Sequence, residues 1–319
     1  MNNIHFDLMA KALAIEEQSE HPTHKVGALL HGKNSNNQSF TTTHPNFWPA
    51  PLKQTIGQDK KLGNASTTMH AEIATLCNSH ITQDATLYIT DLPCPNCAKM
   101  VAEARIKALY IDSHTHNTPL GEKIKPYFDN ISLPVLNHAG ITVVEMNAQT
   151  REFHILSDNK NASLLRVHRP LTHTAIEQKH ITPESFEKHI ENQRNSDTHF
   201  AACYAKTTLG QYVFLSAQPH RSIGLTKELE EHIKQINSKY EARLQPINRL
   251  LMACARYGLK IIPEFLYSSR VPTSREFVNM IGAGYTQLKI GNASECRDEW
   301  GMKAFIQLQE NKVVDFHTS

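Results

Sequence analysis

Residues 68–100 read TMHAEIATLCNSHITQDATLYITDLPCPNCAKM, with His70-Ala71-Glu72 near one end, Pro93-Cys94-Pro95-Asn96-Cys97 near the other and an apolar run between. The pattern predicts a helix over 69–77, a strand over 85–90 and a second helix over 97–105. His70 and Glu72 then open one helix and Cys94 and Cys97 the next, so both helix starts can face one point. Imidazole nitrogen and thiolate sulfur are good zinc ligands, and three protein ligands leave a fourth tetrahedral position for water, the arrangement of a catalytic site. Zinc lowers the pKa of such a water from about 15.7 to roughly 7. Glu72 is the spare carboxylate, placed to serve as base and then acid. Two bland readings stand beside this one, since a lone Cys-x-x-Cys is as often a redox pair or half of a structural zinc knuckle. His-x-Glu followed after a strand by Pro-Cys-x-x-Cys favours the catalytic metal, because a structural site has no use for a spare carboxylate.

Working outward, Phe6, Met9, Ala10, Leu13 and Ala14 recur at helical spacing ahead of Pro22, which predicts an opening amphipathic helix. Strand-like runs at 26–30 and 39–43 flank a turn-rich stretch and read as a hairpin. A strand at 108–111, a helix near 122–128 and a strand at 141–145 complete an α/β layered unit closing near residue 148. Cys77 reads as a buried small residue and His80 as a surface one.

The whole chain has 319 residues, 40% of them hydrophobic, enough for two domains. Its 33 Lys and Arg against 31 Asp and Glu give a formal charge of +2 with no basic block, which argues against a nucleic-acid or membrane-surface partner. Cysteines at 77, 94, 97, 203, 254 and 296 form no disulfide framework and point to a reducing, cytoplasmic setting. The opening MNNIHFDLMAKALAIEE lacks a basic lead and a long apolar core, and no later segment reaches membrane-spanning length, so a soluble, unprocessed chain is expected. The sequons at Asn64, Asn161 and Asn292 are then chance.

Together, His24-Lys25-Val26-Gly27-Ala28-Leu29-Leu30, Asn46 ahead of Pro49, His70-Ala71-Glu72 and Pro93-Cys94-Pro95-Asn96-Cys97-Ala98-Lys99 resemble the cytidine deaminase superfamily, and within it the deoxycytidylate-deaminase-like branch. The resemblance covers about the first 148 residues. It implies zinc on His70, Cys94 and Cys97, Glu72 as proton shuttle, Asn46 on a sugar hydroxyl and the Ala71 amide on the base carbonyl. It implies a three-layer α/β/α fold with a mixed five-stranded sheet, and a nucleoside or nucleotide as the small-molecule partner. Such deaminases often form homo-oligomers in which a neighbour helps to build the pocket. Ala74 departs from the branch, which usually has Asn there, and so leaves the base and its phosphate state open. Without the resemblance, Asn46 serves a turn equally well. Phe47 or Trp48 would stack the base, and Lys53, Lys60 and Lys61 would meet a phosphate or stay solvated. The rivals are deamination of adenine, guanine or a base in tRNA, and a non-enzymatic scaffold with structural zinc.

The second half reads as a worn copy, giving a duplicated fold with a catalytic domain at 1–148 and a degenerate one at 149–319. At an offset of 174, His199–Tyr204 lies over Lys25–Leu30, and His220 falls over Asn46. At 179, Phe265-Leu266-Tyr267 lies over Thr86-Leu87-Tyr88, and Pro272-Thr273-Ser274-Arg275-Glu276 over Pro93–Cys97. Thr273 and Glu276 replace both cysteines. The counterpart of His70 falls within 244–249 and that of Glu72 within 246–251, stretches without histidine or acid respectively. The expectation is a retained fold without the metal. Arg270, Arg275 and Glu276 read as a solvated loop or a regulatory pocket, and Cys203, Cys254 and Cys296 as structural.

Overall fold

The computed structural model describes residues 4–158, 171–194, 198–236 and 241–318. The sequon at Asn161 lies outside them. In chain order the first elements are α1 (Ile4–Glu16), β1 (Gly27–Lys33), β2 (Ser39–Pro45), α2 (Ala50–Thr55), β3 (Lys61–Leu62), β4 (Ala65–Ser66) and α3 (Ala71–Cys77). They continue with β5 (Thr86–Ile89), α4 (Pro95–Glu103), β6 (Ala108–Asp112), α5 (Pro119–Tyr127), α6 (Leu133–His138), β7 (Thr142–Asn147) and β8 (Glu152–Ser157).

The first sheet has the order β2-β1-β5-β6-β7-β8. Strand β1 runs antiparallel to β2 and β5, whereas β5, β6 and β7 are mutually parallel. Alternation along the strands divides their side chains between two faces. Leu29, Tyr88, Tyr110, Val144 and Met146 meet Phe6, Leu8, Met9 and Ala12 of α1. The buried set on the opposite face, including Leu30, Leu87, Ile89, Leu109 and Ile111, turns toward the layer of α3, α4 and α6. The central strands β1, β5 and β6 are buried on both sides and therefore read as near-continuous apolar runs. The α1 stripe is narrower than its spacing implied, because Ala10 and Ala14 point outward.

The sheet has six strands where five were expected. Asn147 Oδ1 accepts from the amides of Gln149 (2.9 Å) and Thr150 (3.0 Å), closing a turn that returns the chain as β8 antiparallel to β7. Strand β8 is an exposed edge whose first four residues face solvent, so burial leaves no clear alternation in its sequence.

The second half contributes β9 (Thr172–Ile176), α7 (Pro183–Arg194), β10 (Ala201–Thr207), β11 (Tyr212–Ala217), β12 (His220–Arg221), α8 (Lys227–Ile236) and β13 (Arg243–Leu244). After these come α9 (Pro246–Tyr257), β14 (Leu259–Val271), α10 (Ser274–Gly282), β15 (Gln287–Cys296), α11 (Glu299–Glu310) and β16 (Asp315–Thr318). Its sheet has the order β16-β15-β14-β10-β11-β9. Five of these strands repeat the order and directions of the first sheet, with β10 antiparallel to β11 and β14, and β14, β15 and β16 parallel. The sixth strand is added at the opposite edge, where β9 pairs with β11. The fold is thus a duplicated α/β arrangement with two mixed six-stranded sheets.

The ladders set the repeat more tightly than sequence matching does. Leu30 faces Leu87 and Thr42, while Cys203 faces Leu266 and Leu215. With Leu266 over Leu87 (266 − 87 = 179), the hairpin offset is 203 − 30 = 173, one less than expected. The Gly27 amide donates to Thr90 Oγ1 (2.9 Å) and the Phe200 amide to Ser269 Oγ (3.0 Å), a pair that requires the same two offsets. A one-residue slip exchanges the faces of a strand. The residue over Asn46 is therefore Pro219, not His220.

By spatial grouping, one compact unit comprises 1–47, 70–168 and 221–244, and the other 48–69, 169–220 and 245–319, as far as these are described. This division differs from a single cut at residue 148. Among the described residues no helix is long and apolar enough to cross a membrane.

Candidate metal centre

Helix α3 begins with His70 at its N-cap, in extended conformation, and α4 begins with Cys94 at its N-cap. Pro95 fills the first turn of α4, where its missing N–H costs nothing. The parallel strand β5 between the helices brings both starts to the same end of the sheet. There His70 Nδ1 stands 3.2 Å from Cys97 Sγ and 3.7 Å from Cys94 Sγ. The three ligand atoms all lie within 4.8 Å of one another, and they form the one such His/Cys/Asp/Glu group among the described residues. With Zn–S near 2.3 Å and Zn–N near 2.0–2.1 Å, tetrahedral ligands fall roughly 3.5 Å apart, so this donor set and spacing fit zinc.

Glu72 lies in the first turn of α3 and is 4% exposed. Burial raises its carboxyl above the ordinary carboxylate range, with His70 opposing and Cys94 reinforcing the shift. The two thiols behave as a pair. A hydrogen bond from Cys97 holds the Cys94 thiol well below its usual range against the effect of burial, while burial and the Cys94 thiolate hold the Cys97 thiol above it. Metal binding displaces the remaining thiol proton, so affinity depends on pH.

Asp91 shapes the loop that delivers Cys94. Its carboxylate accepts from the Leu92 amide (2.6 Å), the Thr115 hydroxyl and the Thr118 hydroxyl (3.2 Å), and burial raises its pKa against the Thr115 bond. Sequence reading passed over it, and an acid two residues before Pro93-Cys94 was the available signal.

Asn46 is 5% exposed and already engaged. Its Oδ1 accepts from the Val26 amide (2.9 Å) and the Ser19 hydroxyl (2.7 Å), and its Nδ2 donates to the His24 carbonyl (2.8 Å). It therefore pins the loop before β1, and one Nδ2 hydrogen remains beyond these bonds. Ala71 is the first residue of α3, where backbone N–H groups lie outside the helical ladder. Ala74 is fully buried on the same helix. Cys77 is half-buried rather than buried, and His80 is exposed. Trp48, Lys53, Lys60 and Lys61 group with the other unit, and Trp48 is buried. Phe47 stays with the ligands, half-buried, its ring 6.5 Å from that of His44.

In the second unit the same two helix starts carry different chemistry. Gln245 caps α9 and Thr273 caps α10. Glu276 Oε2 accepts from the Thr273 amide and hydroxyl (2.8 Å each), and its Oε1 accepts from the Ile247 amide (2.8 Å). Expected in a solvated loop, Glu276 is 1% exposed and ties the two helices together.

Residues 2–113, which contain the whole cluster, match the family model of the cytidine and deoxycytidylate deaminase zinc-binding region. No curated protein matches the chain. Among solved structures, dCMP deaminase from the cyanophage S-TIM5 in apo form aligns at 22% identity, over 46% of this chain and 100% of that one, with a TM-score of 0.31. The same enzyme in complex with dCMP and dUMP aligns at 22% identity over 46% and 99%, with a TM-score of 0.33. The segment that holds His70, Glu72, Cys94 and Cys97 is therefore similar in sequence to a deaminase zinc-binding region.

Proposed function

We propose that the first unit is a zinc-dependent hydrolase that deaminates a cytosine nucleoside or nucleotide to its uracil form, releasing ammonia. The observation that carries this reading is Glu72, a buried carboxylate beside a three-ligand cluster, where a structural zinc site needs none. His70 Nδ1, Cys94 Sγ and Cys97 Sγ would hold the metal. Zinc held there supplies Lewis acidity, which makes water nucleophilic near neutral pH. Glu72 takes a proton from the water that attacks C4 and delivers it to the ring nitrogen. It then passes the second water proton to the departing amine, so cytosine plus water gives uracil plus ammonia. The Ala71 amide donates to the base carbonyl, and the remaining Nδ2 hydrogen of Asn46 serves a sugar hydroxyl. Six free cysteines suit a reducing cytoplasm.

The second half, in this reading, keeps the scaffold as a degenerate domain and has given up the metal, since Gln245, Thr273 and Glu276 stand at the ligand positions. Ala74 leaves adenine, guanine or a tRNA base as the alternative substrates. Ammonia release from cytidine, deoxycytidine, their monophosphates, adenosine, guanine and tRNA decides among them. Activity on the cytosine compounds that disappears in Glu72→Gln at unchanged zinc content is the expected outcome. Activity that survives the substitution sinks the mechanism.

A further inference from the structure

We propose that the two halves exchange equivalent segments, so that the ligand-bearing unit is completed by residues 221–244 of the second half and the other unit by residues 48–69 of the first. Neither the deaminase reading nor the metal enters this inference, which rests on packing. The two segments occupy the same topological position. Each leaves the strand that pairs with the sheet's hairpin partner, β2 or β11, and each ends one residue before the cap of the next helix, His70 or Gln245. With the ladder offset of 173 at one end (221 − 48) and 175 at the other (244 − 69), they coincide end to end.

Each segment is bonded into the unit that receives it. In the ligand-bearing unit, the Ile223 amide donates to Glu103 Oε1 (3.3 Å), and the Lys99 ammonium, 1% exposed, donates to the Glu241 carbonyl. Both Lys99 and Glu103 lie on α4, the helix that carries Cys97 and is capped by Cys94. A buried ammonium requires hydrogen-bonding partners, and here the second half supplies one. Gly224, at φ +80°, sits so close to α6 that a Cβ would lie 2.0 Å from the Val135 carbonyl oxygen and 2.7 Å from the Ala139 nitrogen. Ile223, Leu225 and Ile233 of the segment are buried.

The other unit shows the same contacts with the halves reversed. The Gly63 amide donates to Gln307 Oε1 (2.8 Å), and Arg275 Nη1 donates to the Thr68 carbonyl (3.0 Å). Gly63, at φ +55°, sits so close to α10 and α11 that a Cβ would lie 2.3 Å from both Ser274 Oγ and the Trp300 carbonyl oxygen. Leu52, Leu62 and Met69 are fully buried. In each unit the lent segment thus brings a positive-φ glycine seated against helices that follow the central strand.

Backbone amide hydrogen exchange on the full-length protein tests the exchange through a crossed pair of variants. Gly224→Val, in the second half, should speed exchange in α4 and α6 of the first half at least tenfold and leave α10 and α11 protected. Gly63→Val, in the first half, should do the reverse, exposing α10 and α11 and sparing α4. If each variant loosens the helices of its own half, the segments are not exchanged. Should the valine variants fail to fold, two milder ones read the same contacts. Glu103→Ala should release the Ile223 amide, and Gln307→Ala the Gly63 amide. Protection unchanged at both amides overturns the proposal.

Discussion

Two pairs of helix starts on the same scaffold, α3 with α4 and α9 with α10, carry different chemistry. At the first pair, His70, Cys94 and Cys97 converge as a metal-ligand set. At the second, the Glu276 carboxylate bonds the cap of its own helix and the Ile247 amide of the neighbouring one. Thr273 with Glu276 forms a capping box, which satisfies orphan donors within α10, and the remaining oxygen reaches α9. The comparison teaches that the same junction can be bridged without a metal: a carboxylate links the two helix starts of the second unit, where the first unit places side chains suited to bind a metal.

Four substitutions sharpen the comparison. The largest effect is expected for Glu72→Gln, which should lower turnover about a hundred- to ten-thousand-fold in the ammonia assay while zinc content stays unchanged, since in the proposed mechanism the residue moves protons and holds no metal. Next, Glu276→Ala should destabilise the second unit by about 3 kcal/mol in denaturant unfolding, because three donors, the buried Ile247 amide among them, lose their carboxyl acceptor. Its zinc content should remain that of the wild type.

His199 gives the second unit a pH dependence of its own. Burial first, and Arg270 second, lower its pKa from 6.5 to about 3. The folded state therefore keeps this ring neutral where the unfolded chain takes up a proton. Stability should fall as pH drops below about 6.5, by on the order of 1.4 kcal/mol per unit, and level off near pH 3. His199→Phe should flatten that limb in thermal melts, and an unchanged limb would assign it to other groups. The smallest effect is expected for Asp91→Ala, which frees the loop before Cys94 and should weaken zinc retention against a chelator by about tenfold.

The ligand set was legible in the sequence because its members are local. His70 and Glu72 sit two residues apart on one helix start, Cys94 and Cys97 three apart on the next, and the strand between fixes their meeting. The duplicated sheet was legible for the same reason, through Leu87-Tyr88 and Leu266-Tyr267. What escaped was non-local or weakly patterned. Strand β8 lies at an edge with its side chains in solvent, so burial imposed no alternation on it. The hairpin offset missed by one because Ala201-Ala202-Cys203 offers no bulky landmark. Glu276 was misplaced because a capping box inside a buried junction has the same sequence as one on a surface. The grouping of 48–69 with the second unit left no trace, since an apolar residue such as Leu52 or Leu62 has the same spacing whichever core it fills.

Zinc stoichiometry of the purified full-length chain, measured by elemental analysis on wild type, Cys97→Ser and Glu276→Ala, tests most directly the claim that one junction holds metal and the other a carboxylate. One zinc ion per chain in wild type and in Glu276→Ala, with loss of zinc in Cys97→Ser, is the predicted result. Two ions per chain, or full retention in Cys97→Ser, would contradict it.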